Sequence, residues 1–205
     1  MIIPKNWNEI EAKEVGEFNN LSLGGHICKI LDIREYTSDI SGNTSLKVSI
    51  DIAEGSEFDN YFKKQYDSNN LSERKWPSGA VKYLSLKEEQ MTYLKGFIKA
   101  VENSNPNFKT KIEEGKELDL EQFKNLKIVG VFGMEEYEND KKEVKTATKL
   151  VQFRSVDKLK EIKIPKVKLI DNTFVDYEEY MNKKQNNNVT KSVGTFEIKD
   201  EELPF

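Results

Sequence analysis

Between Phe58 and Pro77 the chain sets five aromatic residues, Phe58, Tyr61, Phe62, Tyr66 and Trp76, among four cations, Lys63, Lys64, Arg74 and Lys75. Ring faces stack on nucleobases and cations pair with phosphates, so these residue types point to non-covalent binding of a single nucleic-acid strand. Stacking is worth ~1–3 kcal/mol per base, so two or three available rings suffice. Trp76, between Lys75 and Pro77, is the ring expected to be most exposed. Tyr36, at the start of a Ser-, Asp-, Gly- and Asn-bearing stretch, is a further candidate ring. Lys145, Lys149 and Arg154 are candidate phosphate contacts, and the first two share strand parity. The alternative for each ring is a place in the core, and for each lysine a solvated face.

Covalent chemistry has fewer footholds. His26 and Cys28 are the only histidine and the only cysteine, which excludes disulfides within the chain, thiolate clusters and multi-histidine metal sites. The two share a strand face, but no nearby acid would orient a Cys/His dyad. Glu113-Glu114 and Glu135-Glu136 are the best carboxylate pairs for a metal-dependent nuclease, yet both sit in polar stretches where solvated carboxylates are the norm. The expectation is a non-enzyme with no catalytic residue, metal or cofactor.

The last six residues, Asp200-Glu201-Glu202-Leu203-Pro204-Phe205, suit a different task. Three adjacent carboxylates resist burial, and Pro204 has no backbone donor for a ladder or helix. Leu203, Pro204 and Phe205 are better placed to dock into a partner's pocket, where Pro204 limits the freedom Phe205 gives up. Charge is segregated along the chain. Of the overall net of −4, the stretch from Asp171 to the end carries −4, Asp140–Lys168 carries +6, and residues 1–139 carry −6. Such zoning suggests a polyanion-binding surface and an acidic tail able to compete for it.

These groups need elements to hold them. Leu46, Val48, Ile50 and Ile52 alternate with Lys47, Ser49 and Asp51, the period of a half-buried strand. His26–Ile33 is expected to pair with it as a long hairpin around 36–44, with Ile27, Leu31 and Ile33 on one face and Cys28 and Ile30 on the other. Residues 58–77 fit neither period. A short strand is expected at 81–86, then a helix over 87–102 with Met91, Leu94, Ile98 and Val101 on its apolar face and a Ser85/Glu88 capping box. Asn103–Phe108 ends that helix. Strands follow at 126–132 and 144–154, separated by a charged turn at 135–142, with one or two helical turns at 155–161.

The order of these elements is mainly β with one main helix, placed between the third and fourth strands. It predicts an OB-fold-like small β-barrel over residues 1–168, with a groove across one face. Residues 169–205, including the polar Gln185-Asn186-Asn187-Asn188 tract, are expected to form a flexible acidic C-terminal arm.

The terminal Asp-Glu-Glu-Leu-Pro-Phe resembles the acidic tip of bacterial single-stranded DNA-binding proteins, which typically end in Asp residues followed by Ile-Pro-Phe. Leu203 stands for the usual Ile and two acids are Glu. Through Lys75-Trp76-Pro77, the helix running into Asn103–Phe108, and Phe153-Arg154-Ser155-Val156-Asp157-Lys158, the body resembles single-stranded DNA-binding proteins of Gram-positive phages and mobile elements. The resemblance implies sequence-independent binding of single-stranded DNA in replication, recombination and repair. It also implies that Asp200, Glu201, Glu202, Leu203, Pro204 and Phe205 recruit partner enzymes. The short Asn- and Lys-bearing linker departs from the bacterial pattern, which leaves the homo-oligomeric state open. The alternative is a replisome or recombination adaptor that binds protein through its barrel and no DNA. No run approaches the ~20 apolar residues of a membrane span, and no signal-peptide core follows Met1, so the expected compartment is the cytoplasm of a bacterial host.

Overall fold

The computed structural model describes residues 20–113 and 115–192. Trp7, Val15 and Phe18, the carboxylate of Glu114, and the terminal hexapeptide Asp200–Phe205 lie outside the described residues. Four antiparallel pairings make most of the sheet. Strand β1 (Gly24–Thr37) pairs with β2 (Thr44–Ile52), and β2 pairs with β3 (Val81–Ser85). Strand β4 (Lys127–Glu138) returns along the other side of β1 and pairs in turn with β5 (Val144–Arg154). Helix α1 (Tyr61–Ser68) lies between β2 and β3, and helix α2 (Met91–Ser104) between β3 and β4. Beyond the reach of β1, the short β6 (Val167–Lys168) takes its place against β4, and β7 (Phe174–Val175) pairs with β6.

The chain is therefore mainly β, with one open sheet. The closed barrel expected from the element order is not formed. Strands β3 and β5 approach one another, but no ladder joins them. What brings them together is a glycine. A Cβ on Gly79 would stand 2.8 Å from the carbonyl oxygen of Thr148, so only a residue without one lets the turn before β3 touch the β5 backbone.

The core lies inside the curl of the sheet. Ile30, Ile33, Val48, Ile50, Ile52, Ile128, Phe132 and Leu150 pack there with Phe97 and Val101 of α2 and with Phe123 from the 3-10 turn before β4. In β1 the inward residues are Cys28, Ile30 and Ile33, not the pattern that strict alternation predicts. The register with β2 slips between Ile30 and Asp32, leaving Leu31 without a cross-strand partner. This bulge resets the parity, so that Ile33 points inward while Leu31 turns to the outer surface.

Other boundaries move for similar reasons. Strand β4 continues through Glu138 into the stretch expected to be a turn, because β5 pairs with it as far as Val144. Helix α2 begins at Met91 after a single 3-10 turn over Glu88–Gln90, and Ser85 Oγ accepts from the Lys87 N–H instead of forming the expected box. Residues placed in the arm by the sequence include β7 and helix α3 (Tyr177–Ser192). Tyr180 is buried, and its hydroxyl donates to Glu136 Oε1 at 2.7 Å, which ties α3 to β4. Among the described residues, no helix is long and apolar enough to cross a membrane.

Candidate nucleic-acid interface

The outer face of β1, β2 and β3 carries a row of residues fixed by register. Arg34 lies opposite Lys47, and Lys47 lies opposite Tyr83. One row further, Tyr36 lies opposite Ser45, which lies opposite Ser85. The Tyr36 and Tyr83 rings bridge the two rows diagonally, their centroids 5.4 Å apart, and both are exposed. The two rings meet over β2, the strand that separates β1 from β3.

Trp76 closes the far end. Its indole Nε1 donates to the Ile50 carbonyl at 3.2 Å. Ile50 is the first β2 residue beyond the end of β3, which begins opposite Ser49. The ring thus satisfies a backbone acceptor that the missing strand would have taken. Tyr66 of α1 lies 5.7 Å from Trp76, and the Arg74 guanidinium sits 4.9 Å from the Tyr66 ring centroid. Guanidinium, phenol and indole thus buttress one another at the mouth of the groove.

Tyr83 and Trp76 line a groove of about 530 Å³ whose cations are Arg34, Lys47, Arg74 and Lys75. One carboxylate shares it, Asp32, which lies 3.5 Å from Arg34 Nε and 3.9 Å from Lys124 Nζ. Of the rings singled out in the sequence, Trp76 lines this groove but is half-buried and packed against the core, not the most exposed ring as expected, while the more exposed Tyr36 stands at the groove's edge, on β1 itself and not in the loop.

Three other rings are spent elsewhere. Phe62 is only 3% exposed and stacks on Phe132 at 5.7 Å, so it is a core residue with no face free for a base. Tyr61 stands edge-on to Phe62 at 5.1 Å, and its hydroxyl accepts from the Leu21 N–H. Phe58 stands edge-on to both Tyr61 and His26. This chain of edge-to-face contacts runs into the core at the α1 end and does not reach the groove.

The predicted cations also separate. Lys63 pairs with Asp67 at 2.6 Å across one turn of α1, and Lys64 is exposed on the same helix. Lys145 pairs with Glu143 at 3.0 Å, and Lys149 Nζ donates to Ser78 Oγ at 2.7 Å. Arg154 lies at the other end of β5, in a cleft with Tyr83. The residues missed by sequence reasoning are Arg34, Lys47 and Tyr83. The outward parity of Lys47 in its alternating strand was the available signal. Pairing it with residues on two other strands required the register.

The groups weighed for covalent chemistry have structural partners. Glu135 accepts from Lys168 Nζ at 2.6 Å, while the neighbouring Glu136 takes the Tyr180 hydroxyl, so the two hold β6 and α3 against β4. Burial, reinforced by that carboxylate, pushes the Tyr180 phenol well above its ordinary range. Glu113 pairs with Lys116. His26 Nε2 lies 2.8 Å from the Ser22 carbonyl. Cys28 is fully buried, its thiol donates to the His26 carbonyl, and burial pushes it up to about 12. Among the described residues, no three His, Cys, Asp or Glu side chains gather as a metal site would require.

Two of the segments that carry the resemblance meet in space. Ser104 Oγ, at the end of α2, donates to the Ala100 carbonyl and accepts from the Val156 N–H at 3.0 Å. Asn105 donates to the carbonyls of Val101 and Lys127 and accepts from the Lys127 N–H, which pins the helix end to the start of β4. Comparison of the sequence with known protein families and with curated proteins finds no match.

Proposed function

We propose that the protein binds single-stranded DNA without sequence preference, as a non-catalytic partner in replication or recombination, through the outer face of β1, β2 and β3. The observation that carries this is the convergence of Tyr36, Tyr83 and Trp76 with Arg34, Lys47, Arg74 and Lys75 on one concave surface. Rings spaced along a sheet accept successive bases, and flanking cations track the backbone; no base-edge code is needed.

The strand order supports the same reading. Three meandering strands, a helix, and a fourth strand returning beside the first is the element order of an OB-fold, here with the seam between its third and fifth strands unladdered. In that fold the second and third strands form the ligand face. The acidic tip at Asp200–Phe205 fits partner recruitment by its composition, as argued from the sequence.

Titration with oligo(dT), followed by tryptophan fluorescence, tests the proposal. Quenching that weakens steeply with added salt is the expected result. Absence of binding at low salt by a folded chain overturns it and favours the protein-binding adaptor. A chain lacking Asp200–Phe205 should keep or gain affinity for the oligonucleotide.

A further inference from the structure

The unladdered seam between β3 and β5 opens into a second cleft of about 670 Å³, floored by Phe97 of α2 and flanked by Tyr93. Tyr83 lines both this cleft and the groove on the sheet face. The two hollows are therefore neighbours across a single edge strand, and among the described residues no strand pairs with that edge to wall them apart. No carboxylate lines the cleft; its charged residues are Lys82 and Arg154. Its rings are Tyr83, Tyr93, Phe97 and Phe153. Phe97 is buried, but Tyr93 is 69% exposed, which is high for a ring beside a cleft and leaves its face free.

We infer that a bound strand does not end on the sheet face but turns over β3 at Tyr83 and continues into the seam, where Tyr93 stacks on a base and Arg154 pairs with the phosphate beside it. This rests on the function proposed above and extends its site. Charge favours a polyanion over an acidic or neutral peptide only through Arg154. Lys82 lies in the field of Glu135 as well as Lys168. A peptide strand added to the free β3 edge would be held by backbone ladder bonds and would need neither an exposed ring nor a cation beside that edge. Aromatic faces and a cation without a lining acid suit a nucleotide better.

The test is an oligo(dT) ladder of about 4 to 16 nucleotides, the span of site sizes for one such domain, titrated against the full chain and a Tyr93→Ala/Arg154→Gln variant. Both side chains are exposed, so the variant should fold, as a thermal melt will check. Expected is equal affinity for the shortest oligonucleotides and a loss of roughly tenfold or more for the longest, as befits one lost stacking ring and one lost phosphate contact. Equal affinity at every length overturns the inference and leaves the sheet-face reading standing. Failure of the unaltered chain to bind any length overturns both. Photocross-linking of bromouracil-substituted oligonucleotide to the unaltered chain reads the path without a variant. Adducts at Tyr93 support it, and adducts confined to Tyr36, Trp76 and Tyr83 refute it.

Discussion

Tyr36 on β1 and Tyr83 on β3 touch across the intervening strand, their ring centroids 5.4 Å apart and their planes 54° to one another. Neither ring is needed by the core: Tyr36 is 39% exposed and Tyr83 48%. A pair of large rings left in water on a sheet face, with Lys47 directly opposite Tyr83, is costly to keep unless something covers it. Replacing Tyr83 by alanine should therefore leave stability nearly unchanged and weaken oligo(dT) binding by about 5- to 150-fold, the equivalent of one stacked base at ~1–3 kcal/mol. Tyr36→Ala should do the same more weakly, because Tyr36 stands at the edge of the groove that Tyr83 lines. Phe62→Ala supplies the contrast: it should destabilise the fold by about 3–5 kcal/mol, as a buried ring removed from a core does. Fluorescence titration beside urea unfolding separates the two kinds of loss.

How much of this was visible in the sequence depends on the range of each signal. The period-two run Leu46–Ile52 and the helical spacing of Leu94, Ile98 and Val101 are local, and both elements form there, although α2 starts at Met91, not 87, and leaves Met91 exposed. Helix α1 was hidden because its support is not local. Its N-cap residue, Asn60, has a left-handed backbone and makes no side-chain cap. The first-turn N–H groups of Phe62 and Lys63, which have no partner within the helix, are instead satisfied by Asp51, from the neighbouring strand. The sheet-face site was half legible for the same reason. Trp76, Arg74 and Lys75 stand together in sequence, whereas Arg34, Lys47 and Tyr83 become neighbours only through two strand registers and a bulge at Leu31.

The cap at Asp51 can be tested directly. Its carboxylate accepts from the N–H groups of Ile52, Phe62 and Lys63 at 2.8, 2.9 and 3.0 Å. Burial raises its pKa above the usual carboxylate range, against the opposing pull of those three donors. Asp51→Ala leaves the α1 donors facing a buried site with no acceptor, so a loss of about 1–3 kcal/mol is expected. Urea unfolding should show an earlier midpoint. Since α1 holds Tyr66 against Trp76, the variant should also lose part of its tryptophan response to oligo(dT).

Cys28 sets an alkaline limit on stability. Its thiol ionises at about 12 in the folded chain, raised by burial, and near ~8.5 once unfolded. The folded state binds the proton more tightly, so this contribution is complete below pH ~8.5 and is lost progressively as pH climbs toward the folded value. The slope approaches ~1.4 kcal/mol per pH unit for this one group. Urea midpoints measured between pH 8 and 11 should fall for the native chain, and fall less steeply for Cys28→Ala. Thiol reagents should label Cys28 only as fast as the chain opens.

Salt dependence can count the phosphates held by the sheet face. Each phosphate neutralised on a single strand contributes about 0.7 to the slope of log affinity against log salt. Lys47 lies between Arg34 and Tyr83 in the register, so Lys47→Gln should reduce that slope by about 0.7 while leaving the fold intact. Arg34 is a weaker contributor because Asp32, 3.5 Å from its Nε, already shares its charge. Asp32 is also the one carboxylate lining the groove, where it repels a phosphate that comes within reach of Arg34. Asp32→Asn frees the guanidinium and removes the repulsion together. The expected outcome is tighter oligo(dT) binding with a steeper salt slope, and Arg34→Gln in the Asp32→Asn background should remove the share of the gain that comes from the freed guanidinium. If Asp32→Asn leaves both affinity and slope unchanged, the strand does not pass Arg34, and its path must cross β2 nearer Trp76.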